Sequence, residues 1–232
     1  PHLNQPEHLA RSLAALAAQE GAPAFEAIVV DNGSRALPEA VCAAHGATLL
    51  AEPTPGPGPA RNRGVAAARA PILAFIDADC IAHPGWLAAI ARRFEDPAMQ
   101  ILGGDVRIGR EDPARPTALE CYEGEYAYRM DLYIRREGFT GTGNLAVRRE
   151  VHEAVGPFAG IETAEDIDWG RRATAAGHAI TYAPEMIAWH PARRSMAELY
   201  EKWDRHLAHI FEDARARPFG RARWALRAAA VA

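Results

Sequence analysis

Pro71-Ile72-Leu73-Ala74-Phe75-Ile76-Asp77-Ala78-Asp79 is the stretch on which the reading of the fold turns. A continuous apolar run of this length that ends in a polar turn is typical of a strand buried on both faces of a sheet. Asp77 and Asp79 then stand at its carboxyl end. Two carboxylates two positions apart offer oxygen ligands to a hard divalent cation and leave room for phosphate. A solvated acidic turn is the plainer meaning of an isolated D-x-D, so the flanking segments have to decide.

On the N-terminal side, Leu9, Leu13 and Leu16 recur at helical spacing between Pro6 and Gln19. Phe25 to Val30 is a β-rich run that ends in the turn cluster Asp31-Asn32-Gly33-Ser34. A helix from Pro38 to His45 and a strand from Ala47 to Leu50 follow, and after the Pro/Gly segment Pro53 to Pro59 a helix is expected from Ala60 to Arg69. On the C-terminal side the pattern predicts a helix over Pro84 to Phe94 and a strand over Ile101 to Ile108. Arg115 to Arg136 reads as a helical or irregular insertion, and Asn144 to Val147 as a strand. A helix over Ala164 to Ala176 closes at Gly177, and an extended stretch from Ala179 to His190 is broken at Pro184. This alternation argues for an α/β fold with a mostly parallel sheet flanked by helices, whose ligands bind beyond the carboxyl ends of the strands. Asp31 and Asp77 both lie at such ends. From Ser195 onward Met196, Leu199, Trp203, Leu207 and Ile210 step by three or four, as in an amphipathic helix, and a second helix follows Pro218. The expected division is one domain over residues 1–192 and a helical extension over 193–232.

Composition removes several classes of function. A chain of 232 residues with 49% hydrophobic residues can bury a sizeable core and is not disordered. With 26 Lys+Arg against 30 Asp+Glu and a net charge of −4, it has no global basic field, so nucleic acid is excluded as a partner. Lys202 is the sole lysine and is expected in an amphipathic helix well beyond the sheet, which removes P-loop, pyridoxal and haloacid-type phosphatase readings. Cys42, Cys80 and Cys121 form no C-x-x-C pair, so neither a disulfide framework nor a cysteine zinc site is indicated, and a reducing cytoplasm fits. No signal peptide and no run of about 18 apolar residues is present. The chain lacks an initiating Met and is read as a fragment.

Taken in order, Val29-Val30-Asp31-Asn32-Gly33-Ser34, Gly58-Pro59-Ala60-Arg61-Asn62-Arg63-Gly64, Phe75-Ile76-Asp77-Ala78-Asp79 and Glu165-Asp166-Ile167-Asp168-Trp169 resemble the family 2 glycosyltransferases with a GT-A fold. Gly141-Thr142-Gly143-Asn144-Leu145-Ala146-Val147-Arg148-Arg149 is similar to the family's donor-side segment. The resemblance runs from residue 1 to about 190. It implies an inverting enzyme that moves a single sugar from a nucleotide-diphosphate sugar, with a UDP-sugar favoured, to a hydroxyl of a glycan or lipid-linked acceptor, assisted by Mn²⁺ or Mg²⁺. By the same resemblance Asp166 is the catalytic base. Asp31, Arg61, Asp77, Asn144, Glu165 and Trp169 bind the nucleotide sugar, and Asp79 and His190 hold the metal. The processive signature Q-x-x-R-W is absent, which favours addition of one sugar. The family opens with a strand of the form V-S-V-V-I-P; Pro1 stands where that strand ends, so the first strand of the sheet is expected to lie outside this sequence.

Plainer meanings stand beside these. Asp31 suits an Asx turn, Arg61 a helix surface, and Glu165 and Asp166 the favourable end of a helix dipole. Trp169 suits a core, and a lone histidine such as His190 usually has no ligand role. The competing functions are a catalytically inactive nucleotide-sugar-binding module and a sugar nucleotidyltransferase of related fold. Finally, Arg215, Arg217, Arg221, Arg223 and Arg227 cluster around Phe219 and Trp224. That composition suits the interface of an anionic membrane, which would bring the domain to the inner face of the membrane; an ordinary packed helix with a basic face is the alternative.

Overall fold

The computed structural model describes residues 1–215 and 218–231, and for Asp213 and residues 227–231 the backbone alone. The chain opens with α1 (Pro6–Ala17), which buries Leu9 and Leu13, then β1 (Ile28–Asp31), α2 (Glu39–Ala44) and β2 (Thr48–Ala51). Helix α3 (Pro57–Ala67) begins inside the Pro/Gly segment and not after it. Proline costs no hydrogen bond in the first turn of a helix and arrives with a suitable φ, so Pro57 opens α3 where the sequence suggested an extended spacer. β3 (Ile72–Ile76), β4 (Ile81–Ala82), α4 (Trp86–Phe94) and β5 (Ile101–Gly109) follow. The insertion resolves into α5 (Ala118–Tyr126), entered through a capping box of Thr117 and Glu120, and α6 (Met130–Glu137). Next come β6 (Asn144–Arg148), α7 (Arg149–Val155), α8 (Glu165–Ala175), β7 (Ile180–Pro191), α9 (Met196–Arg215) and α10 (Gly220–Val231).

β1 and β2 form a parallel pair, while the larger sheet has the order β3-β6-β5-β7-β4. β5 and β7 are parallel, β6 is antiparallel to both β3 and β5, and β4 is antiparallel to β7. Thus β3, β5 and β7 share one direction and β6 is threaded between them against it. His2 makes a parallel bridge to Asp31. β3 departs from the sequence expectation in its burial. Leu73 is buried, but Ala74 is exposed and its neighbours are half-buried. Among the described residues β3 pairs along one edge, with β6, and an edge strand is covered less completely than an internal one.

Alternation along the strands feeds two apolar layers. Leu102, Ala146 and Met186 pack under α4 against Trp86, Leu87, Ile90 and Phe94. On the opposite face Leu73, Ile101, Leu145 and Val147 meet Val151, Phe158 and Trp169 from the α7–α8 side. The stretch expected to break at Pro184 is instead one bulged strand. Gly104 of β5 pairs with Ala183 and Asp105 with Ile187, so Pro184 to Met186 loop out of the ladder. A proline lacks the N–H a ladder requires, and the bulge absorbs it.

The fully buried Asn144 amide closes that bulge. Its Nδ2 donates to the carbonyls of Asp105 (2.9 Å) and Met186 (2.7 Å), and its Oδ1 accepts from Trp86 Nε1 (2.8 Å). A Cβ at Gly104 would stand 2.3 Å from Nδ2, so only glycine admits this contact. Replacing Asn144 by Ala strips a buried indole N–H and two carbonyls of their partner. Urea unfolding of Asn144→Ala is therefore expected to show a loss of roughly 2–4 kcal/mol, given about 1–3 kcal/mol for each buried group left unsatisfied and partial relaxation.

Candidate active site

The carboxyl end of β3 and the start of α8 meet at one buried cation. Arg61, on the first turns of α3 and 5% exposed, donates through Nη2 to Asp77 Oδ1 (2.7 Å) and through Nη1 to Glu165 Oε1 (2.8 Å). It thereby joins the end of β3 to the start of α8. Burial alone would raise the Asp77 carboxyl; the charge of Arg61 outweighs it and holds that carboxyl below its usual range. Gly143 keeps the same carboxylate in place from the other side. A Cβ there would lie 2.6 Å from Asp77 Oδ2, so a side chain at this turn would displace it.

Asp166 is half-buried in the first turn of α8, next to Glu165. Burial and the Glu165 charge push its carboxyl up to about 6, although Arg61 pulls the other way and the Ile167 N–H donates to its Oδ1 at 2.8 Å. A carboxylate of raised basicity, poised near neutrality at a strand-end cleft, suits general base chemistry.

Asp79 Oδ2 and His190 Nε2 face one another at 3.6 Å. His190 Nδ1 is 2.6 Å from the Pro191 carbonyl, which only an N–H satisfies, so in the neutral ring Nε2 carries the lone pair and turns it toward Asp79. A carboxylate oxygen and an imidazole nitrogen suit Mn²⁺ or Mg²⁺ with phosphate oxygens and water completing the shell. Among the described residues no group of three or more His, Cys, Asp or Glu side chains closes a metal cage. Asp31 sits at the end of β1 with both oxygens engaged. Oδ1 meets His2 Nδ1 (2.9 Å), and Oδ2 accepts from the N–H groups of Gly33 (3.2 Å) and Ser34 (2.9 Å). The Asx turn is thus present.

The family described as Glycosyl transferase family 2 matches residues 1–162. The glycosyltransferase AglE of Haloferax volcanii is 32% identical over 210 residues, which cover 87% of this chain and 68% of that protein. The chain belongs to glycosyl transferase family 2. Its fold is shared by the mannosyltransferase PcManGT of Pyrobaculum calidifontis, solved with GDP-Man and Mn²⁺, at a TM-score of 0.66 and 19% identity over 94% of this chain and 63% of that one. It is also shared by glucosyl-3-phosphoglycerate synthase of Mycobacterium tuberculosis, solved with Mn²⁺, UDP and glucosyl-3-phosphoglycerate, at 0.62 and 22% over 94% of this chain and 79% of that one. The chain is a GT-A glycosyltransferase that spans under two-thirds of the PcManGT chain.

Two residues expected at the donor have their side chains engaged in the core. The Asn144 side chain is sealed in the sheet with its hydrogen bonds made, where it closes the β7 bulge. Trp169 is 1% exposed, donates to the Gly156 carbonyl (3.0 Å) and stacks among His152 and Phe158. It stands three residues after Asp166, nearly one turn further along α8, where its ring packs into the core while Asp166 is half-buried. Lys202 lies in the expected helix, α9, but its side chain is not solvated. α9 folds back so that its ammonium reaches buried Glu123 Oε1 (2.9 Å) and lies 4.9 Å from the centroid of the Tyr128 ring. Glu123, Tyr128 and Arg193, beside His190, were not singled out from the sequence. Their one signal was Lys202 itself, a solitary lysine with acidic and aromatic residues upstream. Tyr128 also lines a cavity of about 330 Å³ shared with Trp189, Asp105, Arg107, Arg110 and Asp131.

Removing the Arg61 charge leaves Asp77 and Glu165 facing each other. Arg61→Met is expected to lose roughly 2–4 kcal/mol at pH 7, somewhat less than a fully buried pair because Asp77 keeps partial access to water. The Asp77 carboxyl, depressed in the native protein, contributes stability above about pH 4 that is lost in acid. Without Arg61, burial raises it, the sign reverses, and the deficit should shrink as pH falls from 7 toward 4, as read by chemical denaturation at each pH.

Proposed function

We propose that this chain transfers a single sugar, with inversion, from a nucleoside diphosphate sugar to a hydroxyl of a glycan or lipid-linked acceptor. The observation that carries this is the Arg61 bridge, because it fixes the D-x-D end of β3 and the Asp166 turn of α8 in one cleft. Asp166 takes the proton of the acceptor hydroxyl as its oxygen bonds to the anomeric carbon from the face opposite the diphosphate. The bond from that carbon to the diphosphate oxygen breaks, and the nucleoside diphosphate leaves. Asp79 and His190 would hold a Mn²⁺ or Mg²⁺ ion. Such an ion, when bound, neutralises the charge of the departing diphosphate. Asp77, kept ionised by Arg61, orients the donor ribose or a water at the metal. Uridine is the favoured base by family resemblance, and a UDP against GDP competition decides it, since the two solved relatives hold UDP and GDP-Man respectively.

Asp166→Asn should bind UDP and Mn²⁺ as the native protein does and turn over about 10²–10⁴-fold more slowly. The base acts only when ionised and its carboxyl sits at about 6, so kcat/KM should rise through pH 6 and level off above it, and this limb should vanish in the Asn variant. Near-native turnover of Asp166→Asn would overturn the assignment.

The second part of the reading is a peripheral contact with an anionic membrane. No helix among the described residues is long and apolar enough to cross a bilayer. Phe219 is 81% and Leu226 72% exposed, with Arg221 and Arg223 exposed on the same helix, while Trp224 packs on Phe211 of α9 (5.5 Å between ring centroids). Arg217 and the Arg227 side chain lie outside the described residues. Co-sedimentation with vesicles containing phosphatidylserine should exceed that with neutral vesicles and fall at high salt. Equal recovery in both supernatants would leave a helix without a lipid role.

A further inference from the structure

Tyr128 adopts φ +54°, a left-handed backbone that a bulky aromatic rarely takes and that the surroundings must enforce. Three contacts enforce it. Its ring lies 4.8 Å from the His190 imidazole, tilted by 36°. The Lys202 ammonium stands 4.9 Å from the ring centroid, and the phenol oxygen accepts from Arg193 Nη1 at 2.9 Å. Both cations are held in turn by one carboxylate. Glu123, 1% exposed, accepts from Lys202 Nζ (2.9 Å), from the Arg193 N–H (2.8 Å) and from Arg193 Nη1 (3.4 Å). The cluster gathers α5, the α5–α6 link, the segment after β7 and α9 around a single histidine face.

Among the described residues the His190 ring makes one hydrogen bond, from Nδ1 to the Pro191 carbonyl, and a ring held at one atom still swings about that bond. A flat partner against its face removes the swing. We propose that Tyr128, clamped by Glu123, Arg193 and Lys202, is the positioning residue that fixes the His190 ring and its tautomer so that Nε2 stays turned to Asp79. The proposal deepens the reading of Asp79 and His190 given under the proposed function and rests on it for its consequence toward metal, but not for its geometry. It also makes α9 part of the active-site support, because Lys202 is its contribution to the clamp. From a relaxed backbone the ring would leave the imidazole face, which gives the strained φ a purpose that anchoring of α9 alone does not supply.

The test uses Tyr128→Gly, which accepts φ +54° without strain, beside Tyr128→Phe, which keeps the ring. In metal-free protein at pH 8.5, the ¹⁵N signals of the His190 imidazole should report one tautomer, with Nδ1 protonated, in the native chain and in Tyr128→Phe. Tyr128→Gly should show a mixture. Calorimetric Mn²⁺ affinity in the presence of UDP should fall about 10-fold in Tyr128→Gly and stay within about 3-fold in Tyr128→Phe, the scale typical of groups that orient a metal ligand. An unchanged His190 tautomer in Tyr128→Gly would overturn the proposal. His190→Ala with undiminished Mn²⁺ affinity would instead remove the metal reading, and the tautomer measurement, made without metal, would still decide the role of Tyr128.

Discussion

A guanidinium taken out of water must be balanced by charge of the opposite sign, and Arg61 meets this through its two Nη groups, with Asp77 on one side and Glu165 on the other, while its buried Nε finds no acceptor among the described residues. Much of the site follows from that constraint. The two carboxylates come from positions 77 and 165, on β3 and α8, which the apolar layer also brings together, and the bridge ties the D-x-D turn to the turn that carries Asp166. The electrostatics of the two turns differ. Asp77 is held ionised by the cation, whereas burial and the neighbouring Glu165 charge drive Asp166 toward the neutral form against the pull of Arg61. Neighbours of opposite sign therefore prepare the two carboxyl groups for different roles.

The sheet supports this arrangement through a second buried polar group. Pro184 interrupts β7, and the carbonyls freed by the bulge would cost stability if left bare. Asn144 reaches from β6 to the Met186 carbonyl of β7 and the Asp105 carbonyl of the intervening β5, and takes the Trp86 indole N–H as well, which ties α4 to the bulge. The Gly143 turn that precedes Asn144 is then fixed against Asp77, so the polar plug in the core and the carboxylate in the cleft are consecutive parts of one segment.

Around His190 the supporting groups come from the C-terminal part of the chain. Residues 193–232 read as an appendage in sequence, yet Arg193 and Lys202 both end on Glu123, and Leu199 of α9 is 2% exposed. A solvated helix would not bury its one lysine. The exposed side of the same helix carries Met196, Tyr200, Leu207 and Ile210, while Leu199, Lys202 and Trp203 turn toward the domain.

Most of the order of elements, though not β4 or α7, the strand ends bearing Asp31 and Asp77, and the family of the chain were legible from residue order alone, because hydrophobic period, turn residues and local motifs are properties of neighbours in sequence. The candidate base and metal-side residues were named for the same reason, as members of short motifs. What residue order did not decide was which side of an element each residue faces and what lies opposite. Trp169 and Asn144 belong to motifs that suggest ligand contact, but packing against β3, β6 and α7 takes the first into the core and the bulge of a distant strand claims the second. Glu123, Tyr128, Arg193 and Lys202 form no motif, since their contacts span 65 to 79 positions. Only the return of α9 to the end of β7 brings those charges together, and burial then makes their pairing obligatory.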